Sequence, residues 1–267
     1  MNNHDTSKPT EVIAIIPAAG LANRLPGISG SKEMIPIGTM HDPISNKTVP
    51  KPVCLYLMEK YRNAGIKKCF IILRKGKWDI PDYFGPGDQM NMNLGYLMMG
   101  LPYGTAYTID QAYPHVKHAY VALGFPDILF SPADSYARLI NKIETTNADI
   151  VLGVFPANKP EKTDMVKIDA DNHVLNIIIK PKQTELKLTW GIAVWKPVFS
   201  HYLHGYLFKQ QRKETDPELH IGHVMQAAIN DGMTVVAETV SDQAFLDIGT
   251  PDALSRAIES KAWGRRD

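Results

Sequence analysis

Short apolar runs alternate along the chain with longer segments in which apolar residues recur every three or four positions. The short runs predict strands, and the longer segments predict amphipathic helices. The expected strands are 12–16, 68–73, 118–124, 149–155, 188–195 and 234–240, and the expected helices are 51–64, 104–114, 134–147, 219–231 and 251–263. Strands that alternate with helices are typical of an α/β fold, with a mostly parallel sheet covered by helices on both faces.

The segment 163–179 interrupts this alternation, because it reads as two short strands that turn at Asp171 and Asn172. It predicts a hairpin inserted beside the sheet, with Asp164, Asp169 and Asp171 in a solvated turn instead of a metal site. Trp190 and Trp195 lie five positions apart in one expected strand, so their side chains should point to opposite faces.

The length of 267 residues is enough for a large buried core. We expect a disordered N-terminus at 1–10 and a single domain at 11–267.

The net charge of +1 disfavours nucleic acid as a partner, so small molecules are the expected ligands. The sequence has no apolar run long enough for a membrane span and no signal core, which predicts a cytoplasmic protein that does not bind membranes. Its two cysteines are expected to be buried thiols, because no secretory context favours a disulfide. The sequence leaves the oligomeric state open, a homo-oligomer included.

Residues that could carry chemistry follow three expected strands. The first is the loop 17–34, whose glycines, Arg24 and Lys32 could cradle phosphates, although the same composition also makes an ordinary surface turn. It matches neither the ATPase phosphate loop nor the dinucleotide fingerprint. Asp127 and Asp247 follow later strands, and either could be a helix cap or, as a pair, a ligand of Mg²⁺.

Five segments occur together in an order and spacing that resemble the sugar-1-phosphate nucleotidyltransferases, also called nucleotide-sugar pyrophosphorylases. They are AIIPAAGLANR…SKEMIPIG, LPYGTAYTIDQA, VALGFPD, IIIKP and FLDIGTPDAL, and they extend over roughly residues 11 to 258. Within this family the chain is most similar to glucose-1-phosphate thymidylyltransferases and bacterial UDP-glucose pyrophosphorylases. The resemblance implies a Rossmann-like, nucleotide-diphospho-sugar transferase-like fold, Mg²⁺ as cofactor, and a nucleoside triphosphate and a sugar 1-phosphate as substrates. It also implies that the domain has a nucleotide-binding part at about 11–130 and an acceptor-binding part at about 131–267.

The resemblance also implies roles for individual residues. Arg24 and Lys32 would be catalytic and would contact the phosphates, and Asp127 and Asp247 would hold Mg²⁺. The nucleotide would be bound by Ala18, Ala19, Gly20, Leu21, Met99, Pro102, Gly104 and Thr105. The acceptor would be bound by Gly124, Met165, Ile179, Lys180, Trp190 and Gly191.

The chain departs from the family pattern at several of these positions. Ala22 stands where the phosphate loop usually has glycine, and Ser31 replaces the proline before Lys32. Met99 replaces a glutamine that reads the base, so the nucleotide is open, with dTTP or UTP favoured. Ile179 replaces a glutamate that binds sugar hydroxyls, so we expect an acceptor that is smaller or less polar than glucose 1-phosphate.

The expected function is transfer of a nucleotidyl group from the triphosphate to a sugar 1-phosphate, with release of pyrophosphate. Two alternatives of the same ancestry are a regulatory homologue that binds nucleotide without turnover and an enzyme that uses a non-hexose phosphate and another base. A metal-dependent glycosyltransferase is disfavoured, because GFPDIL lacks an Asp-x-Asp pair. His220 and His223 lack the glutamate and spacing of a zinc protease helix, so they are not expected to bind metal.

Overall fold

The computed structural model describes residues 11–20, 25, 27, 30–42, 45–100, 103–210, 216–260 and 263. The N-terminus expected to be disordered, 1–10, lies outside them. The strands of the described part are β1 Val12–Pro17, β2 Pro36–Asp42, β3 Lys47–Pro52, β4 Lys68–Arg74, β5 Asn93–Met99, β6 Tyr120–Gly124, β7 Ile128–Leu129, β8 Ile150–Pro156, β9 Met165–Ile168, β10 Val174–Ile178, β11 Leu188–Trp195, β12 Val235–Thr239 and β13 Leu246–Asp247. The helices are α1 Val53–Asn63, α2 Asp79–Phe84, α3 Thr105–Asp110, α4 Tyr113–Val116, α5 Ser135–Thr145, α6 Pro197–Phe208, α7 Ile221–Asn230 and α8 Pro251–Glu259.

Nine strands form one mixed sheet in the order β10-β9-β11-β6-β1-β4-β5, and β8 and β12 continue from the other edge of β11. Strands β6, β1, β4 and β5 run parallel, as do β8 and β12. Strand β11 is antiparallel to β6, β8 and β9. The carboxyl ends of β1 and β6 therefore lie side by side at one edge of the sheet, where ligands bind in open α/β folds.

Alternate residues of the strands face two separate helix layers. Ile13 and Ile15 of β1 point into a core built with α3, α4, α6 and α7. Ala14 and Ile16 point into the opposite core, which contains residues of α1, α2 and α5. Because both faces are covered, the central strands are apolar at almost every position. The predicted α/β class, with helices on both faces of the sheet, is confirmed.

Several elements differ from the prediction. The helix expected at 104–114 is two helices, α3 and α4, and Pro114 stands in the first turn of α4, where a proline is tolerated. The sequence did not predict the hairpin formed by β2 and β3, the short helix α2, the edge strand β5, the two-residue strands β7 and β13, or the helix α6. Helix α6 has apolar residues around most of its circumference, so it lacks the periodic pattern that identifies a surface helix.

The predicted hairpin is present as β9 and β10, but it extends the main sheet instead of lying beside it. Strand β9 pairs with the first residues of β11, Leu188 with Val166 and Thr189 with Met165. A β-bulge between Trp190 and Ile192 shifts the register of β11. The expectation that Trp190 and Trp195 face opposite sides is therefore wrong, because both side chains belong to the same core.

Cys54 and Cys69 are free and buried, as the sequence predicts. Burial raises the pKa of both thiols above the ordinary value. Within the described residues, no helix combines the length and apolar character needed to cross a membrane.

Candidate active site

A cleft of about 500 Å³ opens at the edge of the sheet where β1 and β6 end. It brings together residues from loops that are distant in sequence. Of the residues expected in the site, those that line it are Ala19, Gly20, Lys32, Gly104, Thr105, Asp127, Lys180, Trp190, Gly191 and Asp247. These expected residues bring together two cations and two carboxylates with backbone from two glycine-containing loops.

Lys32 begins a short 3-10 turn, Lys32–Met34, that follows the opening loop. The residue before it, Ser31, donates twice to the carboxylate of Asp79 in α2: its N–H lies 2.7 Å from Oδ2 and its hydroxyl 2.6 Å from Oδ1. A proline at position 31 could make neither bond, since it has no N–H and no hydroxyl. The departure from the family pattern at Ser31 thus ties the loop to α2.

The Lys32 ammonium donates to Asp127 Oδ2 across 2.5 Å. Burial alone would lower the pKa of Lys32, but the charge of Asp127 and the hydrogen bond to it, with smaller effects of Glu33 and Asp247, raise it above the ordinary value. Lys32 is therefore held as a cation at the carboxyl end of the sheet, where it can neutralise anionic oxygens.

Asp127 and Asp247 lie on neighbouring segments. Strand β13 pairs with β7, Asp247 lies opposite Ile128, and the N–H of Ile248 donates to the carbonyl of Asp127 at 3.0 Å. The N–H of Gly249 donates to Asp247 Oδ1 at 2.7 Å and fixes that carboxylate in its turn. Two carboxylates on adjacent backbones are a donor set that suits Mg²⁺, which binds few protein oxygens and keeps positions for substrate phosphates. The residues present therefore fit the implied metal.

Lys180 follows the hairpin and has a backbone φ of +41°, an uncommon value for a residue with a side chain. Its ammonium lies 3.3 Å from His220 Nε2. Burial, the charge of Lys180 and then that of His223 lower the pKa of His220 to about 4. His220 is consequently neutral at physiological pH, and its Nε2 can accept the hydrogen bond from Lys180.

Gly104 and Thr105 connect the cleft to helix α7. Gly104 has a φ of +108°, and a Cβ there would lie 2.5 Å from backbone atoms of Leu219, so both the conformation and the close approach require glycine. The hydroxyl of Thr105 accepts a hydrogen bond from the N–H of Ile221 at 2.9 Å, in the first turn of α7. This contact fixes the segment that carries His220 against the predicted nucleotide loop.

Other expected site residues lie behind the cleft or outside the described chain. Ala18, Met99, Gly124, Met165 and Ile179 are not among the residues that line the cleft. Gly124 is buried against the side chains of Leu57, Tyr61 and Tyr136, while Met99 accepts a hydrogen bond from the Thr108 hydroxyl at 3.1 Å. Leu21, Ala22, Arg24 and Pro102 lie outside the described residues.

Sequence reasoning missed several residues that line the cleft. They include Glu33, Thr108, Phe125, Asp164, Glu218, His220 and Phe245. Asp164 was expected in a solvated turn, but it is half-buried in the cleft wall, and burial raises its pKa despite the nearby Lys180 and His223. The position of His220 at the start of a predicted helix could have drawn attention to it. Its contact with Lys180 could not be predicted, because the two residues are 40 positions apart in the sequence.

Glu33 forms a buried ion pair beneath the cleft, with Oε2 2.6 Å from the Lys77 ammonium. Burial raises the pKa of Glu33 and lowers that of Lys77, and each partner's charge opposes the shift.

A second cavity, of about 310 Å³, shares Lys162, Thr163, Phe245 and Asp247 with the cleft, so the two spaces adjoin.

The other acidic residues of the hairpin lie in its turn. Asp169, Asp171 and His173 place one ligand atom each within 4.8 Å of one another. Asp169 Oδ1 accepts from the N–H groups of Asp171 and His173 at 2.9 and 2.8 Å, which accounts for this proximity as turn geometry.

Comparison with known proteins gives consistent matches. The sequence model described as nucleotidyl transferase matches residues 13–262. The low-salt glycan biosynthesis nucleotidyltransferase Agl11 of Haloferax volcanii is 22% identical over 260 residues, 94% of this chain and 68% of that protein. A UTP–glucose-1-phosphate uridylyltransferase of Bacillus subtilis is 39% identical over 83 residues, 30% of this chain and 25% of that enzyme. A crystal structure assigned as a glucose-1-phosphate thymidylyltransferase of Bacillus anthracis, with sucrose, superposes with a TM-score of 0.77, 18% identity and 94% coverage of both chains.

Proposed function

The chain belongs to the nucleotidyl transferase family, and from that premise we propose that it makes an activated nucleotide sugar. The reaction joins the nucleotidyl group of a nucleoside triphosphate to a sugar 1-phosphate and releases pyrophosphate. A phosphate oxygen of the acceptor forms the new bond to the α-phosphorus, and the bond from that phosphorus to pyrophosphate breaks. No covalent intermediate with the protein is required.

The observation that carries this proposal is the common cleft of Lys32, Asp127, Lys180 and Asp247. Two phosphorylated substrates bring several negative charges together, so their reaction depends on positioning and on neutralising charge. Lys32 and Lys180 supply positive charge from separate segments, one after β1 and one after the hairpin. That separation suits two substrates that meet in the middle of the cleft.

In this proposal Lys32 contacts the triphosphate and Lys180 contacts the acceptor phosphate. Arg24, which lies outside the described residues, would also contact the triphosphate. Asp127 and Asp247 would hold Mg²⁺, which acts as a Lewis acid and orients the phosphates when bound. Since His220 is neutral, it can fix the Lys180 ammonium without competing for the acceptor phosphate.

The nucleotide would lie across Ala19, Gly20, Gly104 and Thr105. The carboxyl end of β1 is a favourable place for it, because glycine allows close approach of backbone N–H groups to phosphate oxygens. Met99 cannot form the paired hydrogen bonds that distinguish bases. UTP and dTTP are the favoured nucleotides, since two Bacillus subtilis relatives are UTP–glucose-1-phosphate uridylyltransferases and the crystal structure of similar fold is assigned as a thymidylyltransferase.

A substrate matrix tests this proposal. The four common ribonucleoside triphosphates and dTTP are each combined with a panel of sugar phosphates and non-hexose phosphates, with Mg²⁺, and pyrophosphate release is measured. We expect release with one triphosphate and one class of acceptor. If pyrophosphate is released only with a non-hexose phosphate, the proposed nucleotidyl transfer stands and the proposed sugar acceptor is wrong.

The second candidate function is a regulatory homologue that binds nucleotide but does not turn over. The apolar side chain of Ile179 and the buried Met99 favour it, because the acceptor and the base lose polar contacts there. Nucleotide binding in calorimetry, combined with no pyrophosphate from any pair, would establish it in place of the enzyme. The cytoplasmic location and a homo-oligomeric state stay predictions.

A further inference from the structure

Three residues that line the cleft each have a buried polar atom without a hydrogen-bond partner among the described residues: Glu33 Oε1, Asp164 Oδ1 and Trp190 Nε1. Buried polar groups in folded proteins are nearly always paired, and an unpaired one costs free energy. Glu33 already shares its charge with Lys77. Asp164 and Trp190 are therefore the two groups that a ligand would satisfy.

Asp164 is held firmly at the start of β9. Its carbonyl accepts a hydrogen bond from the Thr189 hydroxyl in β11 at 2.9 Å, and its carboxylate accepts from the backbone N–H of Lys180. The carboxylate is thus positioned by two segments of the sheet next to the lysine that we place on the acceptor phosphate. A rigid hydrogen-bond acceptor beside the reacting group is suited to reading the rest of the acceptor.

Gly222 of α7 shows that the Asp164 carboxylate and Ile179 share one wall. A Cβ on Gly222 would lie 2.6 Å from Asp164 Oδ2 and 2.7 Å from Ile179 Cδ1. Ile179 alone would offer the acceptor only apolar surface, which led to the expectation of a less polar acceptor. Asp164 places a carboxylate next to that apolar side chain, so this wall combines an apolar surface with a hydrogen-bond acceptor.

Trp190 adds a donor to the same part of the cleft. Its indole ring packs against Phe125 with ring centroids 5.9 Å apart, and its Nε1 is the buried donor without a partner. Gly191 follows at the β-bulge, where a Cβ would lie 3.0 Å from the Phe245 ring. The indole therefore packs against Phe125, and Phe245 covers the bulge residue that follows it.

Taking the proposed function as its basis, we propose that Asp164 determines acceptor specificity by accepting a hydrogen bond from a hydroxyl group of the acceptor. Trp190 donates to an oxygen of the same molecule, while Ile179, which packs beside Asp164 and does not line the cleft, stands in place of a glutamate and supplies no polar contact. The acceptor class is accordingly a hydroxylated sugar phosphate with one polar substituent fewer than a full hexose, such as a deoxy sugar. This narrows the expectation of an acceptor that is smaller or less polar than glucose 1-phosphate.

The test compares Asp164→Ala, Asp164→Asn and the control Asp171→Asn, an exposed residue of the same hairpin. Steady-state kinetics use the sugar phosphate found active in the matrix and its singly deoxygenated analogues. We expect Asp164→Ala to raise the KM for the acceptor about tenfold or more, without a change in the KM for the triphosphate. Asp164→Asn keeps one oxygen that can accept a hydrogen bond, so it should raise the acceptor KM less than Asp164→Ala does. With the unaltered protein, one deoxygenated analogue should have a KM as high as that of the full acceptor with Asp164→Ala. With this analogue, Asp164→Ala should raise the KM no further.

Calorimetry with the same sugar phosphates, in the presence of a non-hydrolysable triphosphate analogue, separates this proposal from the proposed function. If pyrophosphate is released and the acceptor KM is unchanged in both Asp164 variants, the role of Asp164 is wrong and the proposed function stands. If no pair reacts but a sugar phosphate binds, the proposed function fails, and Asp164 is judged by whether Asp164→Ala weakens that binding. Binding of no hydroxylated phosphate at all would overturn the role of Asp164 as well. Thermal melts show whether each variant is folded.

Discussion

The Lys32 ammonium lies 2.5 Å from Asp127 Oδ2, so the first cation and the first carboxylate of the candidate site neutralise each other across the cleft. Both side chains are largely buried, with 15% and 14% of their surface exposed. A substrate phosphate that binds Lys32, and a cation that binds Asp127, would each take over part of this interaction. The pair therefore keeps both groups charged and in place until substrates arrive.

Replacing Lys32 should remove charge neutralisation without removing the fold. We expect Lys32→Met to lower kcat about 100-fold, a typical effect for loss of one electrostatic contact in the transition state. Lys32→Arg should retain part of the activity, because the positive charge remains. Pyrophosphate release measures kcat, and Lys67→Met, exposed before β4 at the opposite edge of the sheet, is the control. Unchanged kcat in Lys32→Met would remove Lys32 from the catalytic residues.

Asp127→Asn and Asp247→Asn should each abolish turnover, because an amide has a neutral oxygen that binds Mg²⁺ poorly. Any turnover that remains should need a higher Mg²⁺ concentration for half-saturation. Asp242→Asn is a matched control, since this aspartate is exposed in the loop that precedes β13. Pyrophosphate release is titrated with Mg²⁺ for all three variants. Full activity in either Asp127→Asn or Asp247→Asn would contradict the metal assignment.

The parts of the fold that the sequence predicted well are those with a local signal. The apolar runs of β1, β4, β6 and β8 are buried on both faces, so their composition alone identifies them within about two residues. Helix α6 lacks a clear periodic pattern because apolar Val198 and Phe208 stand on its exposed face, while Phe199, Leu203 and Leu207 are buried. The bulge at Gly191 could not be predicted, since it depends on how β11 pairs with β8.

In the candidate site, too, some residues have a local signal in the sequence and others depend on long-range packing. Lys32, Asp127 and Asp247 were each expected in segments that follow strands, where ligands bind in open α/β folds. That they meet in one cleft depends on long-range pairing, such as that of β13 with β7. Asp164 and Glu33 are different, because their environment comes from distant residues: α7 and Lys180 cover Asp164, and Lys77 neutralises Glu33. Polar spacing in the hairpin suggested a solvated turn for Asp164, and only long-range packing reverses it.

Asp79 should be needed to hold the opening loop. Its carboxylate accepts two hydrogen bonds from Ser31, so Asp79→Ala frees the residue before Lys32. We expect about 1–3 kcal/mol lower free energy of unfolding and a higher KM for the triphosphate. Urea unfolding and kinetics measure the two effects. Asp82→Ala, one turn further along α2, is the control, and equal results for both variants would show that Ser31 does not need this anchor.

Gly124 should act as a packing residue behind the cleft. A Cβ at this position would overlap the Tyr136 hydroxyl and lie 2.6 Å from Leu57 Cδ1 and 2.7 Å from the Tyr61 hydroxyl. Gly124→Ala should therefore lower the free energy of unfolding by about 1–3 kcal/mol. Gly205→Ala in α6 has no atom within 4 Å of its Cβ and should leave stability unchanged or raise it by about 0.5–1 kcal/mol. Urea unfolding compares the two. A fully stable Gly124→Ala with a raised acceptor KM would return Gly124 to the acceptor site.

His220 should make the protein less stable as the pH falls. Its pKa is about 4 in the folded protein against 6.5 in the unfolded chain, because burial and the charges of Lys180 and His223 disfavour the cation. Between these two values the unfolded state binds more protons, so stability is lost as the pH drops from 6.5 towards 4. Since His220 is only half-buried, screening by solvent leaves an effect on the order of 1 kcal/mol at pH 4.5.

The variant His220→Gln tests this effect. Its side chain has an oxygen that can accept a hydrogen bond from Lys180 but cannot titrate, so the free energy of unfolding of the variant should fall less over this pH range. Urea unfolding at pH 6.5, 5.5 and 4.5 measures the difference, with the exposed His41→Gln as a control for loss of a histidine. Parallel pH curves for the unaltered protein and His220→Gln would mean that His220 takes up its proton equally in both states.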